Sequence, residues 1–226
     1  PQTSSVKEKQ RQLLVDVTQI AQHDLQTGIQ RVVRAIVFEW IKTLNDDIRI
    51  EPVYVSTTGG YWHYRYARDW TFSLIGDQPA DLHDEPIELN SDDQLVLLDL
   101  NGSRLVEAHS MGLYDQFIKQ DIKITGIIYD ILPILNPSYF PDGSRDVHHN
   151  WLMSIASISD QLICISKAVA DETRDYLNNQ PNLEKQPRVS WFHLGAEISQ
   201  SSTPEGWPSE HASIEQQLKT STSFLM

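Results

Sequence analysis

Three short segments of this 226-residue chain combine residue types that could handle a phosphate or a sugar. Thr27-Gly28-Ile29-Gln30-Arg31 opens a long apolar-periodic stretch. A glycine at the mouth of a helix lets an anion such as a diphosphate approach exposed backbone N–H groups, although a tight turn would use the same residue. Tyr129-Asp130-Ile131-Leu132-Pro133 is followed by Pro137, Tyr139, Phe140 and Pro141. An acid at a strand end beside a proline-stiffened aromatic loop suits a sugar, whose hydroxyls need acceptors and whose apolar faces stack on rings. Asp130 could equally serve as an acceptor for N–H groups of its own loop. Ser166-Lys167 follows the apolar run around Cys164, and Ser166 fits either a helix N-cap or a binding role.

Other candidate chemistry falls away on spacing. His148 and His149 are adjacent and project from different helix faces, so they are not a chelating pair at i, i+4. Asp81, His83, Asp84 and Glu85 sit in one proline-flanked loop and read as solvated groups; no metal is assigned. His109 lies on an apolar stripe and reads as a core-edge histidine. The chain has no G-x-S-x-G, no Walker loop and no CxxC, which leaves hydrolase, phosphate-loop ATPase and dithiol redox readings unsupported.

The elements that must carry these segments alternate. Leu13–Val17, Pro52–Val55, Leu95–Leu98, Ile122–Tyr129, Gln161–Ile165 and Arg188–Phe192 are short apolar runs of the kind that parallel strands buried on both faces require. Between them lie amphipathic stretches. Ile29, Val32, Val33, Ile36, Val37, Trp40, Ile41 and Leu44 follow helical spacing, as do Arg104–Lys119, a stretch from Ser144 through Ile158, and Lys167–Leu177. Strand–helix alternation with right-handed crossovers predicts a Rossmann-like, doubly wound parallel α/β sheet. Residues 57–90 interrupt the pattern with an aromatic alternating segment, Tyr61–Tyr66, and an acidic loop, and read as an inserted β-hairpin.

Composition sets the outer limits. Hydrophobic residues make up 40% and charged residues 22%, ordinary for a globular domain, and no apolar run is long enough to span a membrane. A net charge of −13 would repel a phosphodiester backbone, so nucleic acid is not expected as a partner. The lone Cys164 permits neither a disulfide framework nor a cysteine zinc site and reads as a small buried hydrophobe. The polar start has no secretory pattern and lacks an initiator Met, which suggests a cytoplasmic product processed or excised from a longer chain.

On these segments the chain resembles the N-terminal domain of family 4 glycosyltransferases. This is the retaining GT-B group that includes many bacterial mannosyltransferases of O-antigen and exopolysaccharide assembly. The resemblance rests on Leu14-Val15-Asp16-Val17-Thr18 with Thr27–Val32, on Tyr129–Pro133 with Pro137 and Phe140, and on Ile163–Ser166 with Leu194-Gly195-Ala196-Glu197, in the family's order. It implies that Thr27, Gly28 and Arg31 belong to the donor-diphosphate and acceptor loop, and that Asp130 stands near the acceptor hydroxyl. It places Tyr129 where the family usually carries a sugar-contacting histidine, and Ser166, Lys167 and Glu197 at further binding positions. It also implies a nucleotide-sugar donor such as GDP-mannose, a saccharide or lipid-linked saccharide acceptor, no metal or other cofactor, and a cytoplasmic site of action, with peripheral placement at the inner membrane face left open. Residues 1–198 would form the acceptor-side domain, with 57–90 inserted. Residues 199–226 would be the linker and opening of a C-terminal donor domain, leaving the piece inactive alone. A noncatalytic α/β module binding carbohydrate or protein is the alternative, which the tyrosine at 129 permits.

Overall fold

A computed structural model describes residues 10–43, 47–77, 83–99 and 102–195. Up to His193 the chain forms one compact unit. The predicted tail at 199–226, together with Ala196 and Glu197, lies outside the described residues.

The centre of the fold is β1 (Arg11–Asp16), which pairs in parallel with β2 (Ile48–Ser56) on one side and β4 (Gln94–Leu97) on the other. From β4 the sheet continues in parallel through β5 (Lys123–Ile128), β6 (Gln161–Cys164) and β7 (Arg188–Trp191). The order is β3-β2-β1-β4-β5-β6-β7. The doubly wound sheet predicted from the apolar runs is therefore present, with one departure at its edge.

That departure is β3 (His63–Tyr66), which runs antiparallel to β2. The hairpin predicted inside 57–90 is instead made by folding this segment back on β2, through a turn closed by Gly60 N–H donating to the Thr57 carbonyl at 3.1 Å. Alternation explains the pairing: Tyr64 and Tyr66 are buried while His63 and Arg65 are half-exposed, the period of two expected for a strand with one covered face. A helix follows, α3 (Arg68–Ile75), which the apolar spacing does not announce.

Helices cover both faces. Leu14 and Val15, successive on β1, point to opposite sides and join different cores. Val15 packs with Val33 and Val37 of α2 (Gly28–Lys42) and with Trp70 of α3. Leu14 shares a core with Leu105 of α4 (Gly102–Ser110), Phe117 of α5 (Asp115–Lys119), Trp151 of α7 (Ser144–Ile158) and Leu177 of α8 (Lys167–Asn178). Two short helices complete the order, α1 (Thr18–Gln22) and α6 (Leu132–Leu135).

The single helix expected over Arg104–Lys119 is broken. Gly112 adopts φ 75°, Leu113 N–H donates to the Ala108 carbonyl at 3.0 Å and Gly112 N–H to the His109 carbonyl at 3.0 Å. A left-handed residue with these return bonds closes a helix and satisfies its last carbonyls. The apolar stripe hides the break, because Leu113 and Phe117 still face the core after it. His109 sits at that core's edge, its pKa pushed down by burial. Gly126 has a different reason to be glycine: a Cβ there would lie 2.7 Å from Ile155 Cδ1, so α7 can seat closely on β5 only without one.

At the opposite edge of the sheet from the strands' carboxyl ends, a buried polar group fixes register. Asp93 accepts from Gln12 N–H at 2.7 Å and from Gln12 Nε2 at 2.8 Å. Gln12 Oε1 in turn accepts from Arg49 and from the Tyr66 hydroxyl, each at 2.8 Å. A one-residue slip of β1 would turn Gln12 to the wrong face and expose the Leu14 and Val15 layers, so this network and the cores specify the same pairing.

Candidate functional site

The loop from β1 to α2 is shaped by one side chain. Gln30, almost fully buried, accepts from Leu25 N–H at 2.8 Å and from Thr27 N–H at 3.3 Å, while its Nε2 donates to the His23 carbonyl at 2.7 Å. Thr27 caps the helix, its Oγ1 accepting from Gln30 N–H at 3.2 Å, so the two residues form a reciprocal capping box. The box satisfies the third amide of the helix. It leaves the first-turn N–H groups of Gly28 and Ile29 without partners among the described residues. Nothing stands within 4 Å of where a Gly28 Cβ would be. The fold does not need a glycine there; a ligand approaching backbone would.

These amides border a cavity of about 560 Å³. Its walls come from the loop after β1 (Gln19, Leu25, Thr27, Ile29, Gln30), the segment after β4 (Asp99, Gly102, Ser103) and α7 (Val147, His148, Trp151). The chain leaves β1 toward β2 on one side, and returns through β4 to continue on the other. The cavity thus occupies the crevice at the carboxyl ends of β1 and β4 where strand order reverses, the place at which open α/β sheets bind ligands. Two helices, α2 and α4, begin at its wall, and helix N-termini favour anions. Leu25 and Val147 form an exposed apolar rim. No Lys or Arg is among the lining residues.

Polar groups below the cavity are held tightly. Asp99 accepts from Ile20 N–H at 2.6 Å, which pins α1 over the end of β4. Asp16 is buried, with Oδ1 accepting from Thr18 N–H at 2.8 Å and Oδ2 from the Tyr64 hydroxyl at 2.6 Å. Burial raises the Asp16 carboxyl above its ordinary pKa, against the lowering effect of those two bonds, and lifts the Tyr64 phenol well above its own. Between Asp16, Thr18, Asp99, Arg104 and Tyr114 is a void of about 10 Å³, close to the space one water needs.

On α7, His148 Nδ1 lies 2.9 Å from the Ser144 carbonyl. A carbonyl only accepts, so Nδ1 is the donor in this contact. The ring meets Trp151 edge-on at 6.3 Å between centroids. His149 faces elsewhere, onto the Tyr176 hydroxyl at 2.8 Å, as the helical angle between neighbours requires.

Of the residues singled out in the sequence, Thr27 lines the cavity; Gly28 lies between the lining residues Thr27 and Ile29 without itself lining it, and Arg31 is exposed and outside the lining. The others belong to the neighbouring strand ends. Tyr129 is buried, donates its hydroxyl to the Leu98 carbonyl at 2.9 Å, and has its phenol pKa raised by burial. This is the geometry of a packing residue, with the hydroxyl already engaged. Asp130 Oδ1 accepts from Leu132 N–H at 3.0 Å, the backbone role left open above, and Oδ2 has no partner among the described residues. Ser166 is the N-cap of α8, accepting from Val169 N–H at 3.2 Å, and Lys167 pairs with Asp171 one turn on. Cys164 is buried, its thiol pushed up to about 11 by burial, which suits packing and not nucleophilic attack. Sequence reasoning missed Asp99, Ser103, His148 and Trp151 as cavity residues; the one available signal was the polar turn after the Leu95–Leu98 run.

An open α/β sheet with anion-favouring helix ends at its reversal point defines a Rossmann-like ligand-binding domain. Relatives supply the rest. The chain is 32% identical over 234 residues, 99% of its length, to a serotype-specific mannosyltransferase WbdA of Escherichia coli, and 32% identical over 231 residues, 97% of its length, to a second protein of that name. It spans about a quarter of the length of these curated relatives, 26% of each. Over nearly its whole length the chain is therefore similar to a part of these mannosyltransferases, in keeping with the resemblance in its sequence. No family model matches, and no solved structure matches.

Among the described residues no helix is long and apolar enough to cross a membrane.

Proposed function

We propose that this chain is the acceptor-side domain of a retaining GT-B mannosyltransferase that extends a bacterial surface polysaccharide. The observation that carries the reading is the crevice at the ends of β1 and β4, where Gly28 leaves the first-turn amides of α2 open to an approaching anion. In such a reaction a nucleotide-sugar donor, GDP-mannose being the reference case, loses its nucleoside diphosphate as the acceptor hydroxyl attacks from the same face. Charge builds on the leaving phosphate oxygens. Oriented N–H groups at a helix end, fixed beforehand by the capping box, stabilise that charge without reorganising. No Lys or Arg is among the described residues that line the cavity, so positive charge for the diphosphate would come from a second, donor-binding domain of a longer protein closing over this one. Metal and cofactor have no part in the proposed chemistry. The acceptor is a saccharide, free or lipid-linked, and the site of action is the cytoplasmic side, with peripheral contact at the inner membrane face. The resemblance would put Asp130 near the acceptor hydroxyl, but its Oδ1 holds the Leu132 amide and it lies outside the cavity lining, so it is given no role here; Glu197 lies outside the described residues.

The test is transfer from a panel of nucleotide sugars by the intact protein, beside Gly28→Val. Mannosyl transfer that fails in the variant supports the reading. The buried, hydrogen-bonded Tyr129 favours one alternative, a noncatalytic saccharide-binding module. Saccharide binding by the intact protein without transfer from any donor would establish that alternative.

A further inference from the structure

A second cavity, about 300 Å³, opens beside the carboxyl end of β2. Gln22, Tyr54, Asp69, Trp70 and Asp84 contribute its polar and aromatic walls; no Lys or Arg is among the described residues that line it, and Arg65 reaches the Tyr54 hydroxyl from behind the wall. Its parts are organised. Asp84 lies on the segment that bridges to β3 and sends Oδ1 to the first amides of α3, Arg68 N–H at 2.9 Å and Asp69 N–H at 3.4 Å. The N-cap residue Ala67 has no side chain to do this, so a residue sixteen positions away along the chain caps the helix and is oriented by it. Arg65 holds the same residue through its carbonyl. Gln22 Nε2 is spent on the Val55 carbonyl at 2.8 Å, which fixes its amide with Oε1 left over. Trp70 is half-buried, one side packed on the core of Val15 and Val37.

This wall composition selects its ligand. The carboxylates of Asp69 and Asp84 outnumber the one nearby guanidinium, Arg65, which is engaged by Tyr54 and the Asp84 carbonyl, so a diphosphate is disfavoured. Carboxylate and amide oxygens accept from hydroxyls, the indole offers an apolar face, and the Tyr54 phenol, engaged by Asp84 and Arg65, holds the acidic wall in place. A neutral, hydroxyl-rich ligand with one apolar face satisfies all of these, and the volume is at the small end of ligand cavities, suiting one sugar ring. The placement adds a direction. Gln19 lines the first cavity and Gln22 the second, and both belong to α1. Three helical positions are about 4.5 Å along the axis, so the two cavities flank one helical turn.

We propose that the Tyr54–Trp70–Asp84 cavity is a second saccharide subsite that holds a sugar of the acceptor chain remote from its reacting end. Its role along an acceptor rests on the glycosyltransferase reading above. The experiment titrates the full chain with methyl α-mannopyranoside and with a linear α-mannotetraose, by calorimetry and by saturation transfer from protein to ligand. Trp70→Ala, Trp70→Phe and Asp69→Asn are compared with wild type. The tetraose binds wild type more tightly than the monosaccharide; Trp70→Ala removes that advantage, about a tenfold loss for one aromatic–sugar contact on the scale of ring stacking, and Trp70→Phe retains part of it. Asp69 is exposed and its replacement isosteric, so Asp69→Asn gives a folded variant with weakened tetraose binding even where Trp70→Ala fails to fold. Equal affinity for the two sugars, or tetraose binding indifferent to all three substitutions, overturns the subsite. Mannosyl transfer that is lost in Gly28→Val with tetraose binding indifferent to Trp70 would overturn this proposal while leaving the glycosyltransferase reading intact. Trp70-dependent tetraose binding without transfer by the intact protein would do the reverse.

Discussion

The carboxyl ends of β1 and β4 and those of β5 and β6 lie along one edge of one sheet, yet they are finished in opposite ways. At β5 and β6 the polar groups turn back on the protein: the Tyr129 hydroxyl to Leu98, Asp130 to Leu132, Ser166 to Val169, Lys167 to Asp171. At β1 and β4 two helices begin at a cavity, and on α2 the capping box stops short and leaves amides to spare. Striking residues at a strand end do not by themselves make a site. What distinguishes one is hydrogen-bonding capacity that the fold has left unused and the space to use it.

Substitutions can break or sharpen that contrast. The largest effect is expected on the open side. Gly28→Val places a branched side chain over the α2 amides, its Cβ in open space, and should lower transfer by the intact protein roughly 100-fold, the scale of losing an oriented oxyanion donor, with little change in melting temperature. On the closed side the cost should fall on stability. Tyr129→Phe strands the buried Leu98 carbonyl, and chemical denaturation should show a loss of about 1–2 kcal/mol with turnover per folded molecule intact. Asp16→Asn acts on pH dependence. Burial raises the Asp16 pKa, so the folded state holds that proton more tightly than the unfolded chain; its stabilising contribution is complete below 3.8 and is lost as pH rises through the folded value. The variant should therefore show a flatter fall in stability above pH 3.8, read from denaturation midpoints across a pH series. The smallest effect is expected for Asp130→Asn. Its Oδ1 can still accept from Leu132, and both stability and transfer should stay near wild type. A collapse in transfer there would return the acid to the site and erase the contrast.

Much of the fold was readable because the strands are buried on both faces and announce themselves as apolar runs; Leu95, Val96 and Leu97 are all in the core. The break at Gly112 was not, since the stripe of Leu105, Leu113 and Phe117 stays in phase across it. Nor was β3 as the partner of β2, because alternation in Tyr61–Tyr66 shows a strand but does not name its neighbour. For the site, Thr27 and Gly28 were legible from a local motif at a helix mouth. Asp99, Ser103, His148 and Trp151 were not, for each is unremarkable in its own stretch and gains meaning only when residues far apart in sequence meet. Tyr129 and Ser166 carried strong local signals for the opposite reason, since capping and packing also favour particular residues at strand ends.

The Gln12–Asp93 pairing joins residues 81 positions apart, and the crevice above it comes into being only when those two strands meet. Such a contact is costly in chain entropy and tends to form late. A ligand seated between β1 and β4 would then be absent from the folding transition state and present in the native one. Its stabilisation should be expressed almost entirely as slower unfolding, with the refolding rate unmoved, so occupancy of the crevice would act as a clock on how long the domain stays folded.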